Sequence, residues 1–111
     1  MPISLADHRS RRLVDHLVQI QHRIDFCARM LLHGKPCAIR LDDLLDEMDR
    51  VLVDLDRTAA HVTSDARRDA IRRTVEAHAR WSRARLGSDE ERSAAAVYLE
   101  SVDALAATLG G

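Results

Sequence analysis

Residues 13–62 decide the fold of this chain and read LVDHLVQIQHRIDFCARMLLHGKPCAIRLDDLLDEMDRVLVDLDRTAAHV. Large apolar residues recur here at alternating spacings of four and three, which places them on one face of an α-helix. The two rows are Leu13, Leu17, Ile20, Ile24, Cys27 and Leu31, then Leu41, Leu45, Met48, Leu52, Leu55, Ala59 and Val62, with Leu44 and Val51 widening the second. Gly34 and Pro36 separate the rows, because glycine closes a helix in the left-handed conformation and proline cannot continue one. The stretch predicts an antiparallel helical hairpin, with helices over about 5–33 and 38–62.

Two further helices are predicted after the hairpin. Thr63, Ser64 and Asp65 offer an N-cap for a third helix over about 65–86, but no glycine or proline forces a break before it. Whether the second and third helices form one continuous rod therefore stays open. Ser88 to Glu91 is a capping box that begins a fourth helix over about 89–109. The fold class is predicted to be all-α and four-helix-bundle-like.

Length and composition restrict the class of protein. A chain of 111 residues suits one domain, 1–111, and 46% apolar residues suffice for a core. The formal charge of −1 excludes a uniformly basic, nucleic-acid-binding surface. Neither a membrane-length apolar run nor a leader segment occurs, so a cytoplasmic protein with no membrane association is expected. Two cysteines in a reducing compartment are expected to be thiols.

Charge is segregated between the second and third helices. Residues 38–62 hold seven acidic and three basic side chains, whereas residues 63–87 hold seven arginines and three acids. One interpretation is that the two helices neutralise each other in exposed pairs worth about 0.2–1 kcal/mol each. The other is that the third helix binds an anionic partner, either a protein or DNA, through Arg67, Arg68, Arg72, Arg73 and Arg80.

Cys37 is the best candidate for a reactive residue. It lies at or just before the start of the second helix, where the helix dipole and free amides stabilise a thiolate. If the fold brings His33 and His61 near it, the three residues would make a soft site for a transition metal. The alternative is an ordinary loop cysteine, since no ligand spacing fixes two of these residues on one helix face. Cys27 is predicted to be a packing residue of the apolar row.

Arg73 and His78 match a short catalytic pattern. Their spacing is the Arg-x4-His pattern of the HEPN ribonuclease superfamily, in which the two residues act on an RNA phosphate across a dimer cleft. The alternative is that His78 is a core or boundary residue, because it shares a helix face with Ile71, Val75 and Trp81.

The residues around the hairpin turn, from Ile20 through Gly34 and Cys37 to Leu41, resemble the CsoR/RcnR/FrmR family of metal- and formaldehyde-responsive repressors. The similarity covers about residues 13–61. It implies that Cys37 senses a metal or thiol-reactive inducer together with a histidine of the second helix, and that the protein releases DNA on sensing. His61 lies one residue short of the place of that histidine, and the second metal cysteine of the family is absent.

The favoured functional prediction is a non-enzymatic regulatory or protein-interaction module. The apolar rows further predict a homodimer, and apart from a metal at Cys37 no cofactor is expected. The alternatives are a metal- or thiol-responsive DNA-binding repressor and a HEPN-like ribonuclease.

Overall fold

The computed structural model describes residues 4–37 and 40–109, and over those residues the secondary structure consists of four helices without a strand. The all-α, four-helix prediction is confirmed. The helices are α1 (Leu5–Leu32), α2 (Leu41–Ala59), α3 (Asp65–Arg83) and α4 (Asp89–Ala107). Each helix ends one to three residues before its predicted end. The second helix also begins later than predicted, at Leu41 with Arg40 as its extended N-cap, while the predicted residues 38 and 39 lie outside the described residues.

The hairpin turn forms as its sequence predicts. Ser4 caps the start of α1 by accepting a hydrogen bond from the Asp7 amide at 3.0 Å. At the other end Gly34 adopts a φ of +67°, and its amide donates to the Leu31 carbonyl at 3.1 Å. The Lys35 amide donates to the Met30 carbonyl at 2.9 Å. This pair of bonds is a Schellman motif, which stops α1 and turns the chain back towards it.

The structure answers the open question between α2 and α3, because the chain leaves helical geometry at residues 60–64. Ser64 is the N-cap of α3, and its hydroxyl accepts from the Arg67 amide at 3.3 Å. Val62 is fully buried in this connection. Two helices rather than one rod result, because a capping serine and a buried valine together hold the bend.

The capping box of α4 forms with one difference. Ser88 Oγ accepts from the Glu91 amide at 3.1 Å, as predicted. The Glu91 carboxylate accepts from the Gly87 amide at 3.3 Å and from Trp81 Nε1 at 2.9 Å, instead of returning to the Ser88 amide. The tryptophan explains the difference, since its partly buried N–H needs an acceptor.

The helices pack as two antiparallel hairpins, α1 on α2 and α3 on α4, joined mainly through α2 and α3. One core runs through all four helices and holds Val14, Leu17, Ile20, Leu44, Met48, Val51, Leu52, Leu55, Ala59, Val62, Ala70, Ile71, Ala77, Tyr98, Val102 and Leu105. The molecule measures 51 × 29 × 22 Å. That residues 1–111 form a single domain stays a prediction.

The predicted apolar rows are buried over only part of their length. Leu31, Leu41 and Leu45 are exposed, whereas Leu44 and Val51 are buried. Within one chain the rows are therefore buried in the middle of the bundle and exposed near the hairpin turn. Helix α2 packs on both α1 and α3, so its buried stripe is centred between these two neighbours and not on α1 alone.

The two ends of the bundle differ in chemistry. The closed end, where α1 and α3 begin and α4 finishes, is joined by polar side chains. Asp7 accepts from the Thr63 amide at 2.9 Å and from its hydroxyl at 2.6 Å. Arg67 donates to Ser10 Oγ at 3.3 Å and to the Thr108 carbonyl at 3.2 Å. The hydrogen bonds from Thr63 lower the pKa of Asp7, which favours its charged form.

The opposite end holds the α1–α2 and α3–α4 connections, and we call it the turn end. It comprises the last two turns of α1, the first two turns of α2 and the loop after α3. Across the described residues, 4–37 and 40–109, none of the helices has the length and apolar character that crossing a membrane requires.

Candidate functional site

The turn end exposes large apolar side chains. Ten such side chains are exposed among the described residues, and six of them lie here: Phe26, Leu31, Leu32, Leu41, Leu45 and Leu86. Leu32 is 84% exposed and Leu86 is 90% exposed. Three of them, Leu31, Leu41 and Leu45, belong to the apolar rows of α1 and α2, so those rows continue past the level at which neighbouring helices pack on them. A concentration of exposed apolar residues at one place is typical of an interaction surface.

Exposed charges of both signs border this apolar surface. The end of α1 and the following turn carry Arg29, Lys35 and Arg40, while the first turns of α2 carry Asp42, Asp43 and Asp46. The ion pairs formed between described residues involve none of these six. The turn end therefore presents exposed cations and exposed carboxylates next to exposed leucines.

The two cysteines meet beside the turn end. Cys27 is buried on α1 and Cys37 is half-buried in the α1–α2 connection; neither is in a disulfide. The thiols are neighbours, and a hydrogen bond with Cys37, followed by burial, raises the pKa of Cys27. The prediction that Cys27 is a packing residue describes its burial but omits this contact.

An aromatic cluster lies deeper between α2, α3 and α4. The ring of the fully buried Tyr98 is 5.6 Å from the His78 ring and 5.3 Å from the Trp81 ring, measured between centroids. His78 Nε2 lies 3.2 Å from Asp49 Oδ1. The Tyr98 hydroxyl is buried without a hydrogen-bond partner among the described residues, and burial raises its pKa. This geometry supports the interpretation of His78 as a boundary residue, packed against aromatics and paired with one carboxylate.

A pH dependence of stability follows from His78. Burial lowers its pKa, and the Asp49 carboxylate opposes that shift only in part. The contribution of the neutral His78 side chain to the free energy of unfolding is therefore fully present above the unfolded-state pKa of about 6.5. It is lost as the pH falls through the lower folded-state pKa. We expect the melting temperature of the wild type to fall more than that of His78→Gln between about pH 7.5 and pH 5.5. Equal pH dependence of the two proteins would contradict this assignment.

The predicted arginine row divides into two groups. Arg67 binds groups of the closed end, while Arg68 donates to the Val62 carbonyl and pairs with Asp65 at 3.4 Å. These two arginines stabilise the fold. The other three, Arg72, Arg73 and Arg80, are exposed and are absent from the ion pairs between described residues. Those three are the part of the row that remains accessible to a partner.

The predicted neutralisation between α2 and α3 is limited. Of the ion pairs between described residues, the one that joins these helices is His78–Asp49, and it involves a histidine rather than an arginine. The exposed arginines of α3 and the exposed acids of α2 therefore remain solvated charges.

The predicted metal or thiol-sensing residues are not gathered within one chain. Cys37 and His33 lie in the α1–α2 connection, but His61 follows the far end of α2 and lines a groove with Leu5 and Arg9. The 19 residues of α2 separate His61 from Cys37 by about 28 Å. The described residues contain no group of three or more histidine, cysteine or acidic side chains arranged for a metal ion. A transition metal at Cys37 stays a prediction.

Arg73 and His78 lie on different faces of α3. Arg73 lines a groove between α3 and α4 with Asp69 and Ser101, whereas His78 faces Asp49 of α2. A spacing of five residues rotates the second side chain by about 140°. The two residues therefore do not converge within one chain, and a joint role on RNA stays a hypothesis about an assembly.

Comparisons with family models, curated proteins and solved structures found no match to this chain. The similarity of residues 13–61 to the CsoR/RcnR/FrmR family therefore stays a prediction. The candidate site depends on the geometry of the chain itself.

Sequence reasoning missed both the thiol pair and the aromatic cluster. The ten-residue separation of the cysteines, spanning a Gly34 turn, is a signal that would have indicated the thiol pair, because the Schellman motif reverses the chain. Nothing local indicates that Tyr98 packs on His78, because they lie on different helices.

Proposed function

We propose that this protein is a non-enzymatic helical interaction module and that its turn end joins two copies into a homodimer. The observation that carries the proposal is the contrast between the two ends of the bundle. Polar hydrogen bonds occupy the closed end, whereas six of the ten exposed large apolar side chains of the described residues lie at the turn end.

The apolar surface provides the driving force for association. Leu32 and Leu86 are almost fully exposed, so nearly all of their side-chain surface would be removed from water in a contact. Full burial of a leucine side chain is worth about 1.5–3 kcal/mol. A few such residues together offset a large part of the entropy lost on association.

The charges favour a second copy as the partner. In a two-fold symmetric interface the same patch faces itself in reverse, so a patch that carries both cations and carboxylates can complement itself. Arg29, Lys35 and Arg40 would then face the partner copy's Asp42, Asp43 and Asp46. This complementarity favours one orientation and speeds the encounter of the two copies more than it adds affinity.

Substituting Leu32 tests the proposal. We expect the wild type to be a dimer by size-exclusion chromatography with light scattering, and Leu32→Glu to raise the dissociation constant at least about tenfold, since a carboxylate must then be desolvated. Leu32 lies in the last turn of α1 and is largely outside the core, so helicity by circular dichroism should be unchanged.

Leu5→Glu is the matched control. Leu5 is 88% exposed on the same helix but lies at the closed end. The substitution Leu5→Glu should leave the dissociation constant of the dimer within about twofold of the wild-type value. A monomeric wild type, or a dimer weakened by Leu5→Glu and not by Leu32→Glu, would refute the assignment of the turn end.

A dimer formed in this way leaves Arg72 and Arg73 exposed in the middle of α3, while Arg80 lies in its last turn, next to the turn end. Their binding of an anionic regulatory partner stays a prediction of the sequence. The repressor and ribonuclease hypotheses rest on the sequence patterns alone.

A further inference from the structure

We propose that Cys27 and Cys37 form a redox site, a dithiol that reacts with low-molecular-weight disulfides such as glutathione disulfide to give an internal disulfide. This reaction takes place within one chain and needs no residue of a second copy.

The hairpin turn creates the site. Cys27 lies in the second-last turn of α1 and is 2% exposed. The Schellman bonds at Gly34 and Lys35 reverse the chain and bring Cys37 back beside Cys27, near enough for Cys37 to raise the pKa of the Cys27 thiol. A disulfide between these neighbours requires their sulfur atoms to approach to a bond of about 2.04 Å. Since Cys37 lies outside a helix, side-chain rotation and a small loop shift supply that approach.

The two thiols differ in access, which sets the order of reaction. Cys37 is half-buried in a connection and reaches solvent, whereas Cys27 is enclosed by the bundle. The hydrogen bond with Cys37 and the burial also raise the pKa of Cys27, so it remains a protonated thiol. Cys37 therefore attacks first, and Cys27 is the resolving thiol.

The exchange balances in two steps. The Cys37 thiolate attacks one sulfur of the disulfide RS–SR, forming a mixed disulfide and releasing RS⁻, which takes up the proton that Cys37 lost. The Cys27 thiol then loses its proton and attacks Sγ of Cys37, forming the internal disulfide and releasing a second RSH. The protein dithiol is oxidised by two electrons, and one RS–SR is reduced to two RSH.

Oxidation should fix the hairpin turn. The new bond links residues 27 and 37 and so restricts the turn in the unfolded chain, which stabilises the folded state. We expect the oxidised protein to melt about 5–15 °C above the reduced protein. The reductant dithiothreitol should reverse the shift.

The deciding experiment treats the full chain with glutathione disulfide and follows intact mass and peptide maps under non-reducing conditions. The expected product of the wild type is a single chain lighter by two hydrogen atoms, with the peptides of Cys27 and Cys37 linked. A wild type that accumulates the glutathione adduct at Cys37 without forming the linked product would overturn the proposal.

Single variants test the order of attack. Cys27→Ser should stop at a stable glutathione adduct on Cys37, whereas Cys37→Ser should form an adduct on Cys27 at least about tenfold more slowly, because that thiol is buried. Cys27→Ala provides a second variant in case a buried serine hydroxyl disturbs the core, and circular dichroism checks the fold of each. Adduct formation at equal rates on both single variants would contradict the proposed order.

Discussion

Tyr98→Ala should lower the free energy of unfolding by about 3–5 kcal/mol, the range found for truncation of large buried aromatic residues. Tyr98 is fully buried and contacts His78 and Trp81, so its removal leaves a cavity between two helices. Urea unfolding followed by circular dichroism measures the loss. A decrease below about 1 kcal/mol would show that this cluster is not part of the cooperative core.

Two variants separate the contribution of the Tyr98 ring from that of its hydroxyl. Tyr98→Phe keeps the ring and removes a hydroxyl that lacks a partner among the described residues, so the unfolding free energy should stay equal or rise by up to about 1 kcal/mol. Leu99→Ala is the matched control, because the adjacent Leu99 is exposed. It should change stability by less than about 1 kcal/mol.

Arg67→Ala should lower the free energy of unfolding by about 1–3 kcal/mol. The Arg67 guanidinium donates to Ser10 on α1 and to the carbonyl of Thr108 after α4, so its loss releases contacts between three elements. The same substitution removes a positive charge that helps to lower the pKa of Asp7. Thermal and urea unfolding at neutral pH measure the effect.

Arg72→Ala is the control for Arg67 because it lies on the same helix and is exposed. We expect a change within about 0.5 kcal/mol. Equal effects of the two substitutions would mean that the contacts of Arg67 at the closed end contribute no net stability. The comparison also identifies which arginines are available for substitution in partner-binding experiments without harm to the fold.

The sequence predicted helix number and type because the signals for them are local. Alternating spacings of four and three, together with Gly34 and Ser88, specify where helices begin, end and turn, whereas the break before Ser64 stayed open until the structure showed it. Each of these signals acts through bonds within a few residues of itself. Fold class and the approximate helix bounds were therefore predictable from the chain alone.

The candidate site was only partly predictable. Cys37 could be identified as the accessible thiol from its place after a helix break, but its contact with Cys27 depends on how the turn folds back. Arg67 and Arg80 look alike in sequence. Arg67 is bound to groups of the closed end, whereas Arg80 is exposed. The difference arises because neighbouring helices cover only one side of α3.

The sequence by itself determined that residues 13–62 form a helical hairpin and that two further helices follow. Tertiary structure alone decided how far the apolar rows are buried: Leu44 and Val51 lie in the core, whereas Leu31, Leu41 and Leu45 are exposed at the turn end. The physical reason is that periodicity determines which side chains share a helix face. The burial of that face depends on how far the neighbouring helices extend along it.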